Sequence, residues 1–193
     1  WLQKSSNHLA LPELKIQCLI LMENNMRKIA LLFVLFSVLS CKCKKVTTPQ
    51  TTASITSECP KDGTCTVQLL KNKSILVKKD EFGSTYYTLE DSDSKNVVKY
   101  TYNRTVKGDL QDANYREEII FELNNQTDNL TLSDAALEST QLLFGRFCFC
   151  RGQTGNYKIN QGKLTVTDGK VIDLNFKTDE VPQIISHVSF LMK

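Results

Sequence analysis

The chain has 193 residues, a formal net charge of +3, 41% hydrophobic residues, 8 glycines, 4 prolines and 7 cysteines. Its charge is balanced and scattered rather than gathered into a basic stripe, which excludes the electrostatic footprint of a nucleic-acid binder. The apolar content suits a globular fold, and the cysteine count directs attention to redox and metal chemistry.

Residues 1–25 begin with Trp1 and form a polar, mixed-charge leader that we set aside as a mis-assigned start, together with His8 and Cys18. Arg27 and Lys28 then precede an apolar segment, Ile29 to Leu39, of 11 residues. A membrane-spanning helix needs about 20 apolar residues, so this segment reads as a cleaved export signal over residues 26–40. The tetrapeptide Val38-Leu39-Ser40-Cys41 that closes it resembles the lipobox of bacterial lipoproteins. The resemblance implies diacylglyceryl transfer to the Cys41 thiol, cleavage before Cys41 and acylation of the new amino terminus. It also implies a membrane-anchored, extracytoplasmic location in the bacterial cell envelope, periplasmic or at the outer membrane. Two or three acyl chains give stable anchoring where one gives marginal binding.

Without the four basic and two acidic residues that precede Cys41, residues 41–193 carry a net charge of +1. Lys42, Lys44 and Lys45 sit beside the expected anchor, and Cys43 is an odd thiol there. Val46 to Ser57 has seven Ser or Thr and no charge, the composition of a flexible tether, so residues 41–57 are expected to link the anchor to one domain over residues 58–193.

That domain is patterned with period two almost throughout. Strands are expected at Cys65 to Leu70, Ser74 to Lys79, Thr85 to Leu89, Val97 to Arg104, Tyr115 to Leu123, Leu142 to Cys150 and Ile184 to Leu191. Turn signals at Asp62-Gly63, Gly83, Asp91 to Asp93, Gly108-Asp109 and Asn124-Asn125 separate them. Gly155 to Lys177 reads as a three-stranded meander. In it Asp168-Gly169 is a type I′ hairpin signal, and Leu164, Val166, Ile172, Leu174 and Phe176 share one face. Gly155-Asn156-Tyr157 resembles, over three residues, the glycine–aromatic start of lipocalin strands. One helix is expected, Asp134 to Gln141 with Ser133 as N-cap. The fold class is therefore all-β, mainly antiparallel: a small barrel or sandwich of about 8–10 strands with at most one short helix.

In an exported domain Cys59, Cys65, Cys148 and Cys150 are expected to form two disulfides. Cys148 and Cys150 lie two apart on an expected strand, where a mutual bond would strain the backbone. Rejecting it leaves the connectivities that tie Cys59 and Cys65 to the Cys148–Cys150 strand and close a loop of roughly 90 residues, worth about 4 kcal/mol in the chain-entropy model. The competing use of these four cysteines is zinc or copper binding, although C-x-C and C-x5-C depart from the usual zinc spacings. No metal or other cofactor is assigned.

Catalytic groups are sparse. His187 is the one histidine after Cys41, and no serine sits in a nucleophile-elbow pattern. Glu117, Glu118 and Glu122 are the dense carboxylates; Glu118 and Glu122 share a strand face with Ile120, and Glu117 shares the other with Ile119, Phe121 and Leu123. A glycosidase pair can span such a separation, as can most solvated sheet faces. Asn103, Asn125 and Asn129 head N-x-T sequons, which matter only in a eukaryotic secretory route. The expected function is non-enzymatic: a lipid-anchored envelope module that binds another envelope protein or a small apolar ligand, with metal handling as the alternative. A filled barrel interior favours a protein partner, and an open apolar cavity favours a carried ligand.

Overall fold

Eleven strands and a single 3-10 helix make up the described part of the chain, which is residues 51–106, 108 and 113–192 of a computed structural model. The export signal, Cys41, Cys43 and residues 42–50 of the expected tether lie outside the described residues, as do His8 and Cys18.

The strands are β1 (Thr51–Thr52), β2 (Ser54–Ile55), β3 (Gly63–Lys79), β4 (Thr85–Arg104), β5 (Tyr115–Asn124), β6 (Leu130–Ser133), β7 (Leu143–Cys148), β8 (Gly155–Lys158), β9 (Gly162–Thr167), β10 (Val171–Phe176) and β11 (His187–Leu191). They form two sheets in the orders β1-β3-β4-β5-β7-β8 and β2-β11-β10-β9-β6, every pairing antiparallel. The all-β class is thus as expected. In addition, Thr85 of β4 pairs with Asn156 of β8, closing β4-β5-β7-β8 into a four-stranded ring.

Residues 51–55, read from composition as tether, instead form β1 against β3 and β2 against β11. The Thr56 and Ser57 amides continue the contact by donating to Ser189 O. The folded unit therefore starts before Glu58. Threonine and isoleucine fit a pleated surface, and short edge strands need little apolar content of their own.

The two expected strands at Cys65 to Leu70 and Ser74 to Lys79 are one, β3, and those at Thr85 to Leu89 and Val97 to Arg104 are one, β4. Asp91 to Asp93 does not end a strand. It lies at a bulge where the register passes from Lys71 opposite Asn96 to Lys73 opposite Asp91. Asn72, with φ 56°, donates its amide to Asn96 Oδ1 at 3.0 Å and marks the bend. Beyond it, the distal half of the hairpin folds over the face of β5 and β7 turned away from the main core. Ile75 packs there with Val97, Ile120 and Leu143, flanked by Leu70, Val77 and Tyr87.

The larger core lies between the sheets. Val98, Tyr100, Tyr102, Ile119, Phe121 and Phe144 come from one sheet, and Leu164, Val166, Ile172, Leu174, Phe176, Val188 and Phe190 from the other. Leu164, Val166, Ile172, Leu174 and Phe176 are all buried in it as expected, but Gly155 to Lys177 is not one meander: β9 and β10 pair with each other, while β8 joins the other sheet. β5 is covered on both faces, so every residue from Glu117 to Leu123 is buried and the inside–outside alternation is hidden. The expected helix is a 3-10 turn over Asp134–Thr140 that buries Leu137, and Ser133 makes no side-chain cap bond. Asp134 accepts instead from the Gly162 amide at 3.0 Å.

Candidate binding groove and its disulfide rim

The four cysteines pair locally, correcting the expected connectivity: Cys59 with Cys65, Cα atoms 5.9 Å apart, and Cys148 with Cys150, 5.1 Å apart. Two facts of geometry explain this. β4 and β5 stand between Cys65 on β3 and Cys148 on β7, so three strand spacings of about 4.8 Å put those cysteines far beyond disulfide reach. Furthermore, β7 ends at Cys148 and the chain bends at Phe149, which shortens the two-residue span from the roughly 6.6 Å of an extended strand to a bridgeable distance. Disulfide bonding leaves none of the four sulfurs as a thiolate for a metal, and no group of three or more His, Cys, Asp or Glu among the described residues is placed to hold one.

Sheet register gathers aromatics and arginines at this end of the molecule. Tyr115 on β5 stands opposite Cys148 on β7, and Tyr102 on β4 is opposite Glu117 on β5. The Arg104 and Arg146 guanidinium carbons lie 4.6 and 5.4 Å from the Tyr115 ring centroid. The Tyr102 and Tyr115 rings meet edge-on at 6.5 Å. On the opposite face of β5, Arg116 lies 4.4 Å from the centroid of Phe147. A cleft of about 590 Å³ opens here between Asn103, Arg104, Tyr115, Arg116, Phe147, Cys148 and Phe149. Phe149, inside the disulfide loop, is 82% exposed.

Each part of this cluster is braced. Tyr102 donates its hydroxyl to Asp62 Oδ1 at 2.7 Å, and Arg104 Nε donates to Oδ2 at 3.1 Å. The Tyr102 hydrogen bond, aided by Arg104, holds the Asp62 carboxyl below its usual range. Arg146 donates Nη1 to the side-chain and backbone oxygens of Gln153 at 2.8 and 3.2 Å, and Nε to the Tyr115 hydroxyl at 3.3 Å. Burial first, then the Glu117 carboxylate it donates to, pushes the Tyr115 phenol up. Arg116 makes no ion pair among the described residues.

The glutamates do not form a catalytic pair. Glu117 is fully buried and accepts the Ile184 and Ile185 amides at 2.7 and 2.8 Å, tying β5 to the segment before β11. On the other face, as the period predicts, Glu118 accepts from Tyr87 at 2.6 Å and pairs with Lys99 at 3.0 Å. Glu122 accepts the Ile75 amide at 2.7 Å and pairs with Lys95. All three carboxylates are thus committed to internal donors, which is how buried charge is tolerated. His187 faces solvent, 2.9 Å from Asp173 Oδ2.

The groove itself was not legible in advance: arginines on two expected strands and an aromatic between cysteines give no motif, and only the register assembles them. No protein-family model, curated protein or solved structure matches the chain.

Proposed function

We propose that this chain is a lipid-anchored protein of the bacterial cell envelope, acylated at Cys41, whose β domain binds another envelope protein through the arginine–aromatic groove. The observation that carries the binding reading is the contrast between a filled interior and this open, cationic end. Ile75, Val97, Ile120 and Leu143 pack against one another on the inner side of the ring, which favours a protein partner over a carried apolar ligand. Outside, Arg116 stacked on Phe147 and the bare ring of Phe149 supply aromatic and arginine anchors of the kind that dominate protein interfaces, with a charge suited to an acidic segment. The anchor rests on the lipobox resemblance and the short apolar segment before it.

Two experiments test the reading. Metabolic labelling with an alkyne fatty acid in a bacterial host should mark the full chain and leave it in the membrane fraction. Cys41→Ala should lose both, and retention of label would refute the anchor. A photoreactive residue at position 149 should give a discrete cross-linked envelope protein that Arg116→Glu abolishes. The same probe at Phe82, equally bare at 85% exposure on the β3–β4 turn, should not. Equal yields from both positions would refute the groove.

A further inference from the structure

We propose that Cys148–Cys150 is an exchange-active disulfide that oxidises dithiols of polypeptides lying in the groove. Three observations converge. First, the bond is the weaker staple of the two: its partners are two residues apart against six for Cys59–Cys65, which also packs against the main core. Second, it sits on the rim of the groove, with Cys148 lining the cleft and the exposed Phe149 between the two cysteines in the chain. Third, two guanidinium groups stand close to it. Cys148 is paired across the sheet with Tyr115, against whose ring Arg104 and Arg146 both rest. Of the two, Arg104 is paired with Asp62, whereas Arg146 makes no ion pair among the described residues.

Guanidinium groups beside a cysteine stabilise its thiolate, which makes it a better leaving group and the disulfide a stronger oxidant. A substrate thiolate attacks the Cys150 sulfur in the bend, forming a mixed disulfide as the bond to Cys148 breaks and Cys148 leaves as thiolate. The substrate's second thiolate then attacks its own sulfur in the mixed disulfide and expels Cys150. The substrate loses two electrons and two protons to become a disulfide, and Cys148 and Cys150 gain them as two thiols. Only the choice of a polypeptide substrate rests on the groove reading. Exchange with glutathione does not, so the two can fail separately.

The test equilibrates the oxidised full chain in glutathione buffers of graded [GSH]²/[GSSG], then alkylates and digests with trypsin. Cleavage after Arg146 and Arg151 isolates both reactive cysteines in one peptide, and cleavage after Lys61 separates Cys59 from Cys65. Half-reduction of Cys148–Cys150 is expected at a ratio at least tenfold lower than that of Cys59–Cys65, which also reports an intact fold. Arg104→Gln should raise the Cys148–Cys150 ratio about threefold and leave the other unchanged. Reduction of both bonds together, earlier reduction of Cys59–Cys65, or no response to Arg104→Gln would overturn the proposal.

Discussion

Glu117 shows how a single side chain can join distant parts of this fold. Its carboxylate receives two consecutive backbone amides, Ile184 and Ile185, from a segment more than 60 residues further on, plus the Tyr115 hydroxyl. Glu117→Ala strands those donors in a dry interior, at about 1–3 kcal/mol for each unsatisfied group, so a loss of roughly 3–5 kcal/mol is expected in urea unfolding. Glu117→Gln keeps one acceptor oxygen and should lose less, about 1.5–3 kcal/mol. A midpoint unchanged by either would mean that Glu117 does not brace the two segments. The strand period was enough to put Glu117 on the Ile119–Phe121 face. It gave no reason for a carboxylate there, because the partners are backbone amides, which every sequence has everywhere.

At the scale of elements, the β9–β10 hairpin shows one sequence signal correcting another. Asp168 and Gly169 both have positive φ, 51° and 61°, and Lys170 N–H closes on Thr167 O at 3.0 Å, as the Asp-Gly signal predicts. Yet Thr167 pairs with Val171, so the loop holds three residues rather than two. Parity demands it. A two-residue loop would set Val166 opposite Val171 and turn Ile172, Leu174 and Phe176 to solvent, whereas the observed register sets Val166 opposite Ile172. The hydrophobic pattern was therefore legible and decisive, while the bend at Asn72 and the kink after Cys148 were not, since each depends on what lies across the sheet. Gly162, with φ 141°, begins β9 where a Cβ would lie 2.2 Å from Asn175 O. Gly162→Ala should cost about 1–3 kcal/mol from backbone strain alone, read as a lowered unfolding midpoint. The disulfides rank by the chain they close. Replacing Cys59 and Cys65 with Ala should cost about 2.4 kcal/mol by chain entropy and the equivalent Cys148, Cys150 variant about 1.6, with the difference widened by the core contacts of the first pair. Equal losses in paired denaturation curves would contradict that ranking.

For the whole molecule, the tyrosines set an upper pH limit on stability. Five of the six, Tyr87, Tyr100, Tyr102, Tyr115 and Tyr157, have phenols pushed above the usual value of 10, burial being the largest cause at each. Tyr87, Tyr102 and Tyr115 also donate to the carboxylates of Glu118, Asp62 and Glu117, a bond that only the protonated phenol can make. Because the folded pKa is raised, this stabilisation is complete below pH 10. It is lost above that, where the unfolded chain sheds protons that the folded chain retains. At the acid end the sign reverses for Asp62: its lowered pKa gives stability above about pH 4 that disappears as the pH falls through the folded value. Urea midpoints should therefore be flat from pH 7 to 9 and fall steeply between 10 and 12. Tyr87→Phe should reduce the steepness, since it removes a proton-release site while keeping the ring against Ile75 and Val77. An alkaline limb as steep in Tyr87→Phe as in the parent would show that Tyr87 does not contribute to it, and stability rising above pH 10 would contradict the sign for the whole set.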